Sequence, residues 1–86
     1  GLYSYNTGSG EAAQIQRDVY ERVMAHEWVV QLHGFYVDLE TKEMRFDAVM
    51  SFDIRPNEGV KILYDEISAA YPEYNLMVAP DVDVSD

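Results

Sequence analysis

The chain has 86 residues, a net charge of −10 and no cysteine. This length allows one domain with a single modest core. The missing cysteines exclude disulfides and thiolate metal sites, and the acidic balance argues against nucleic acid and anionic lipid as partners. Hydrophobic residues make up 48% and charged residues 26%, an ordinary globular composition. No apolar run approaches the roughly 18 residues of a membrane span, so direct membrane insertion of this fragment is not expected.

Gly1–Gly10 (GLYSYNTGSG) reads as a linker, with Leu2, Tyr3 and Tyr5 suggesting a docking segment. The start at Gly1 without an initiator Met reads as a piece excised from a longer chain. From Glu11 to His26, Ile15, Val19 and Val23 recur at i, i+4 and i+8, extended by Ala12 and His26. The spacing predicts an amphipathic helix with Ser9 as its cap. Tyr20 and Met24 lie off that stripe, on a side open to a second surface.

Trp28–Glu40 is rich in β-branched and aromatic residues and predicts a strand. Phe35, Val37 and Leu39 share one parity, Val30 and Leu32 the other, which predicts a bulge at His33-Gly34 with Gly34 absorbing it. A turn near Glu40–Glu43 leads into the cleanest pattern of the chain, Glu43–Arg55. There Met44, Phe46, Ala48, Met50, Phe52 and Ile54 occupy every second position, predicting a central strand with one face in the core. Pro56 stops it, and Asn57 is placed to cap a second helix, whose apolar row is Val60, Leu63, Tyr64, Ile67, Ala70 and Tyr71. That helix ends before Pro72. Tyr74–Ala79 is a short third strand ended by Pro80, followed by the acidic run Asp81–Asp86.

The predicted order is αββαβ, with a right-handed β-α-β crossover whose outer two strands are parallel. The fold class is α+β: a two-layer, ferredoxin-like sandwich lacking one strand, with a three-stranded mixed sheet and two helices on one face. The helices bury a Met44/Phe46/Phe52 face, and the other face stays open for association. The domain spans residues 11–84, between the 1–10 linker and an 85–86 tail. Trp28, Tyr36, Tyr64, Tyr71 and Tyr74 are read as core and interface aromatics.

Chemistry-bearing residues are sparse. His33 sits at the parity switch, readable as a metal ligand or as a half-buried histidine bonding the backbone. His26, near the end of the first helix, suits the negative pole of the helix dipole and is assigned no chemistry. Asp81, Asp83 and Asp86 gather three carboxylates, but without the glycine and glutamate of a calcium loop they read as a solvated tail. Asp47 and Asp53 lie on the central strand with no cleft implied between them. The six basic residues are scattered, and nucleotide, nucleophile-elbow and zincin motifs are all missing. With no nucleophile or orienting partner beside His33, an enzyme is not expected.

Taken together, the first helix, HEWVVQLHGFYV, RFDAVMSFDI, and the second helix closing in YPEYNLMVAPDVD resemble the C-terminal cytoplasmic domain of cation diffusion facilitator transporters. The resemblance covers roughly residues 10–83. It rests on Val29–His33, Arg45-Phe46 and Tyr71-Pro72 in order and spacing. It implies a metallochaperone-like αββαβ fold and a homodimer. It also implies attachment to the protein's own transmembrane domain, a divalent-cation/proton antiporter, at the cytoplasmic face of the cell membrane. In such domains a bound divalent ion (zinc, manganese or iron here) draws the dimer together. By the same resemblance His33 matches the family histidine of the first strand and Asp81 the aspartate after the last. The remaining ligand histidines fall at about Met50, Lys61 and Ala79, so a two-metal cluster is not expected. A single oxygen-rich site using His33, Asp81 and Asp83 stays open, as does a domain that only dimerises. The alternative is a free-standing α/β sandwich module that binds a small ligand or partner protein.

Overall fold

The computed structural model describes residues 7–81. Helix α1 (Thr7–Met24) leads into strands β1 (Val29–Asp38) and β2 (Glu43–Met50), helix α2 (Pro56–Ala70) and strand β3 (Asn75–Asp81). The sheet order is β1-β2-β3, with β1 antiparallel and β3 parallel to β2. This is the mixed-sheet αββαβ sandwich that the hydrophobic patterning predicts, with both helices on one face. Among the described residues no helix is long and apolar enough to cross a membrane.

Period and parity fix the core. Ile15, Val19 and Val23 of α1 are buried, as are Leu63 and Ile67 of α2. They meet Met44, Phe46 and Ala48, the alternate residues on the helix side of β2. Phe46 and Met44 are each 1% exposed, making them the largest fully buried side chains. Gly34 has φ +61°, and the β1–β2 register slips between His33 and Tyr36. The parity switch is therefore a bulge, with glycine in the left-handed region where a Cβ is penalised. A second slip, between Val29 and Gln31, is not signalled by the sequence; it leaves Val30 exposed instead of aligned with Leu32.

Several boundaries differ from the sequence expectation. Helix α1 starts at Thr7, so Ser9 lies inside it rather than capping it, and it stops at Met24, short of His26. Helix α2 takes Arg55 as its N-cap residue, with no side-chain cap bond, and Pro56 in its first turn. Pro56 fits there because its fixed φ suits a helix start and its missing N–H would be unsatisfied anyway; Asn57 is consequently inside the helix. Pro80 does not end β3. As an edge strand, β3 tolerates a residue that donates no ladder bond.

The largest correction is at the end of the central strand. β2 stops at Met50, and Phe52 and Ile54 lie in the following loop. Phe52 is fully exposed, so the predicted Met44/Phe46/Phe52 face loses its third member. Tyr64 is likewise exposed, although the apolar row of α2 included it. Tyr74 is buried, Trp28 and Tyr71 pack against the core as half-buried residues, and Tyr36 is exposed.

Candidate functional site

With both helices on one face, the other carries Gln31, His33 and Tyr36 from β1, and Arg45, Asp47 and Val49 from β2. Met77, Ala79 and Asp81 follow from β3, all by strand alternation and register. His33 is exposed and stands opposite Asp47, whose other cross-strand neighbour is Ala79. Asp81 stands opposite Val49, one row further along, and is engaged by a neighbouring group.

His33 and Asp81 thus share a face but lie on opposite sides of β2. Two strand spacings separate them by about 10 Å across the sheet, with about 7 Å of offset along it. Asp83 lies outside the described residues. Among the described residues, no three His, Asp or Glu side chains come close enough to hold one metal ion. An imidazole and a carboxylate split by a strand fall short of the four donors of a closed zinc site.

Asp47 is the acidic neighbour of His33 that sequence reasoning set aside. Its carboxylate leans toward the bulge, where a Cβ on Gly34 would stand 3.2 Å from Asp47 Oδ2. The signal that finds it is register: the residue facing His33 across an antiparallel pair shares its face. Asp53, by contrast, leaves the sheet altogether; Ser51 Oγ donates to its carboxylate at 3.0 Å within the loop.

At one end of the sheet, beside the start of α2, the loop after β2 walls a cleft of about 730 Å³. Val30, Phe52, Ile54, Pro80, Arg55 and Asp81 contribute to its lining. Val30 is exposed at the register slip between Val29 and Gln31 and Phe52 by the early end of β2, so two local departures from alternation build the cleft. Toward the other end, the Arg45 guanidinium lies 5.1 Å from the Tyr36 ring centroid. Tyr36 Oη donates to Asp38 Oδ2 at 3.3 Å, and the Asp38 charge pushes the phenol pKa up. Met77, 63% exposed, lies beside them.

On the helix side, His26 sits 2.7 Å from Glu66 through Nε2 and lies 4.8 Å from the Trp28 ring centroid. It tethers the end of α1 to α2 rather than lining the open face. No protein-family model, no curated protein and no solved structure matches this chain.

Proposed function

We propose that this is the regulatory and dimerisation domain of a divalent-cation efflux transporter, without catalytic activity of its own. The observation that carries the reading is the uncovered sheet face. A domain this small whose described residues leave one face of the sheet without helices, with Met77 exposed on that side, has surface to offer a second copy. Two further supports are the order and spacing of the motifs at Val29–His33, Arg45-Phe46 and Tyr71-Pro72, and the αββαβ topology that such a domain requires. His33 and Asp81 belong to the uncovered face, and their role in this reading is to make association responsive to the transported divalent cation.

Sedimentation of the chelator-stripped domain over a wide concentration range, alone and with zinc, manganese or ferrous iron, tests both parts. Dimers are expected without metal, with association strengthened by one of the three ions and that gain lost in His33→Ala. A monomer under all conditions sinks the dimerisation reading. A dimer indifferent to every ion sinks the part assigned to His33 and Asp81. A second reading, a module that takes a small ligand, is favoured by one feature, the apolar cleft beside Phe52.

A further inference from the structure

The pairing register divides the open sheet face into rows that run across β1, β2 and β3. Its two middle rows are Tyr36, Arg45, Met77 and His33, Asp47, Ala79. Arg45 is exposed and is the one lysine or arginine among the described residues of this face. It stacks on Tyr36 but forms no ion pair among the described residues, and neither does the half-buried Asp47. A cation and an anion, both unpaired, thus stand two residues apart on the central strand and point the same way.

In a closed dimer of identical chains, a residue i that meets j of the second copy implies that j meets i. Sheets packed face to face keep their strands roughly aligned, which leaves two directions for the two-fold axis. An axis along β2 lays each residue of that strand over its own counterpart. Glu43 then meets Glu43, Arg45 meets Arg45 and Asp47 meets Asp47, three like-charge contacts. An axis across the strands, between the two middle rows, makes β2 antiparallel to its counterpart and exchanges the rows. Arg45 then faces the second copy's Asp47, Met77 faces Ala79, and Tyr36 faces His33. In the outer rows Glu43 comes opposite Val49, Asp38 opposite Gln31, and Asp81 opposite Asn75. No carboxylate of the face stands directly over another, and a large side chain meets a small one at Met77 and Ala79. For a chain of net charge −10 that difference decides between the two arrangements, because like charges set opposite one another oppose association.

We propose that the open face docks a second copy of this chain with the two β2 strands antiparallel, each Arg45 pairing with the other copy's Asp47. The inference rests on the dimerisation reading and adds to it the register and the charge pair that selects it. A face of three strands is small for a protein interface, so the dimer is weak enough for two symmetry-related ion pairs to govern it.

The test is sedimentation of wild type, Arg45→Asp and Asp47→Arg over a wide concentration range. The wild type should dimerise, and each substitution, by setting like charges opposite at two contacts, should raise the dimer Kd about tenfold or more. For Asp47→Arg this is the reverse of what net charge alone gives, because the substitution moves a net charge of −10 two steps toward zero and relieves general repulsion. An equimolar mixture of the two variants should associate again as a heterodimer. One copy then carries aspartate at both positions and the other arginine at both, so each contact pairs opposite charges. Asp47→Asn, close in size to the native residue, serves where Asp47→Arg melts below the wild type; it too should weaken the dimer although it removes a negative charge. Association unchanged by Arg45→Asp, strengthened by either change at Asp47, or not restored by mixing two variants that melt like the wild type would overturn the register and leave dimerisation standing. A monomeric wild type would overturn the dimerisation reading and this inference with it.

Discussion

Gly59→Ala separates packing from intrinsic helix preference more sharply than any other single change in this domain. Gly59 is in the second turn of α2, and in a helix interior alanine is favoured over glycine by about 1 kcal/mol. On propensity alone the substitution should stabilise the fold. The structure argues the opposite. Gly59 is buried, and a Cβ there would collide with the Met50 sulfur and stand 3.2 Å from Met50 Cε and 3.1 Å from Trp28 Cζ3. Met50 would have to swing away as a unit, and the Trp28 ring would have to give as well. Forcing an extra carbon into a packed site costs about 1–3 kcal/mol; the end of Met50 is flexible, but the rigid Trp28 ring beside it narrows the room into which it can move and keeps this one in the upper half of that range. Subtracting the propensity gain leaves a net loss of about 1–2 kcal/mol.

Thermal and urea denaturation read this directly. For a domain of this size, about 1–2 kcal/mol corresponds to a fall in Tm of roughly 5–15 °C. The same substitution in a Met50→Ala background meets far less obstruction, so there it should be neutral or stabilising by up to about 1 kcal/mol. The sign reversal between backgrounds is the diagnostic result. A Gly59→Ala variant that melts at or above the wild-type temperature would refute the close-packing argument, because propensity would then have decided the outcome.

Other positions give narrower tests. Gly34→Ala places a Cβ at φ +61° and beside Asp47, so denaturation should show a loss of about 1–2 kcal/mol. Tyr71→Phe removes the phenol that donates to Asp18, the main reason the Asp18 carboxyl lies below its ordinary pKa. At neutral pH the loss should be about 1 kcal/mol, discounted for the partial exposure of the pair. The wild-type advantage should disappear in acid as pH falls through the depressed Asp18 pKa. It should also fade in alkali, because burial, with the Asp18 bond, pushes the Tyr71 phenol up to about 12, and stability is lost between pH 10 and that value. A Tm difference between wild type and variant that did not change with pH would contradict this. Asp38→Ala should lower Tm, and Asp38→Asn should lower it less. Asp38 Oδ1 accepts from the backbone N–H groups of Glu40 and Thr41 in the β1–β2 turn, and an amide oxygen retains that geometry.

The layout was legible wherever hydrophobic period alone decides it. The stripe Ile15, Val19, Val23 and the alternation Met44, Phe46, Ala48 each need only one covered face, and the structure covers both. The bulge at Gly34 was legible because an inserted residue reverses the alternation, and a glycine at the reversal supplies the backbone freedom a bulge needs. Boundaries were less legible because several residues compete for each. Ser9 and Asn57 are good caps in isolation, but α1 begins earlier and Pro56 claims the first turn of α2. His33 was legible as a strand residue, whereas Asp81, read as following the last strand, closes β3, and the separation of the two depends on β2 lying between them. No local pattern encodes strand order, which is set by how α2 carries the chain from β2 to β3.

The failure of alternation after Met50 has a structural cause that joins two otherwise separate features. Continued as a strand, the chain would bury Phe52 and Ile54 beneath the start of α2. Instead that helix comes close enough at Gly59 for Met50 and Trp28 to fill the space, and Ser51 N donates to Trp28 O at 2.8 Å as the chain turns away. The side chains that would have extended the core are displaced into the loop that walls the cleft. Local rules tend to be broken where a protein uses the residues for something else. A glycine that admits a helix, a methionine that takes a phenylalanine's place, and a fully exposed Phe52 are then parts of one arrangement. Gly59→Ala should therefore disturb the loop around Phe52 as well as the core, and chemical shifts of Ser51–Arg55 should move with those of Trp28.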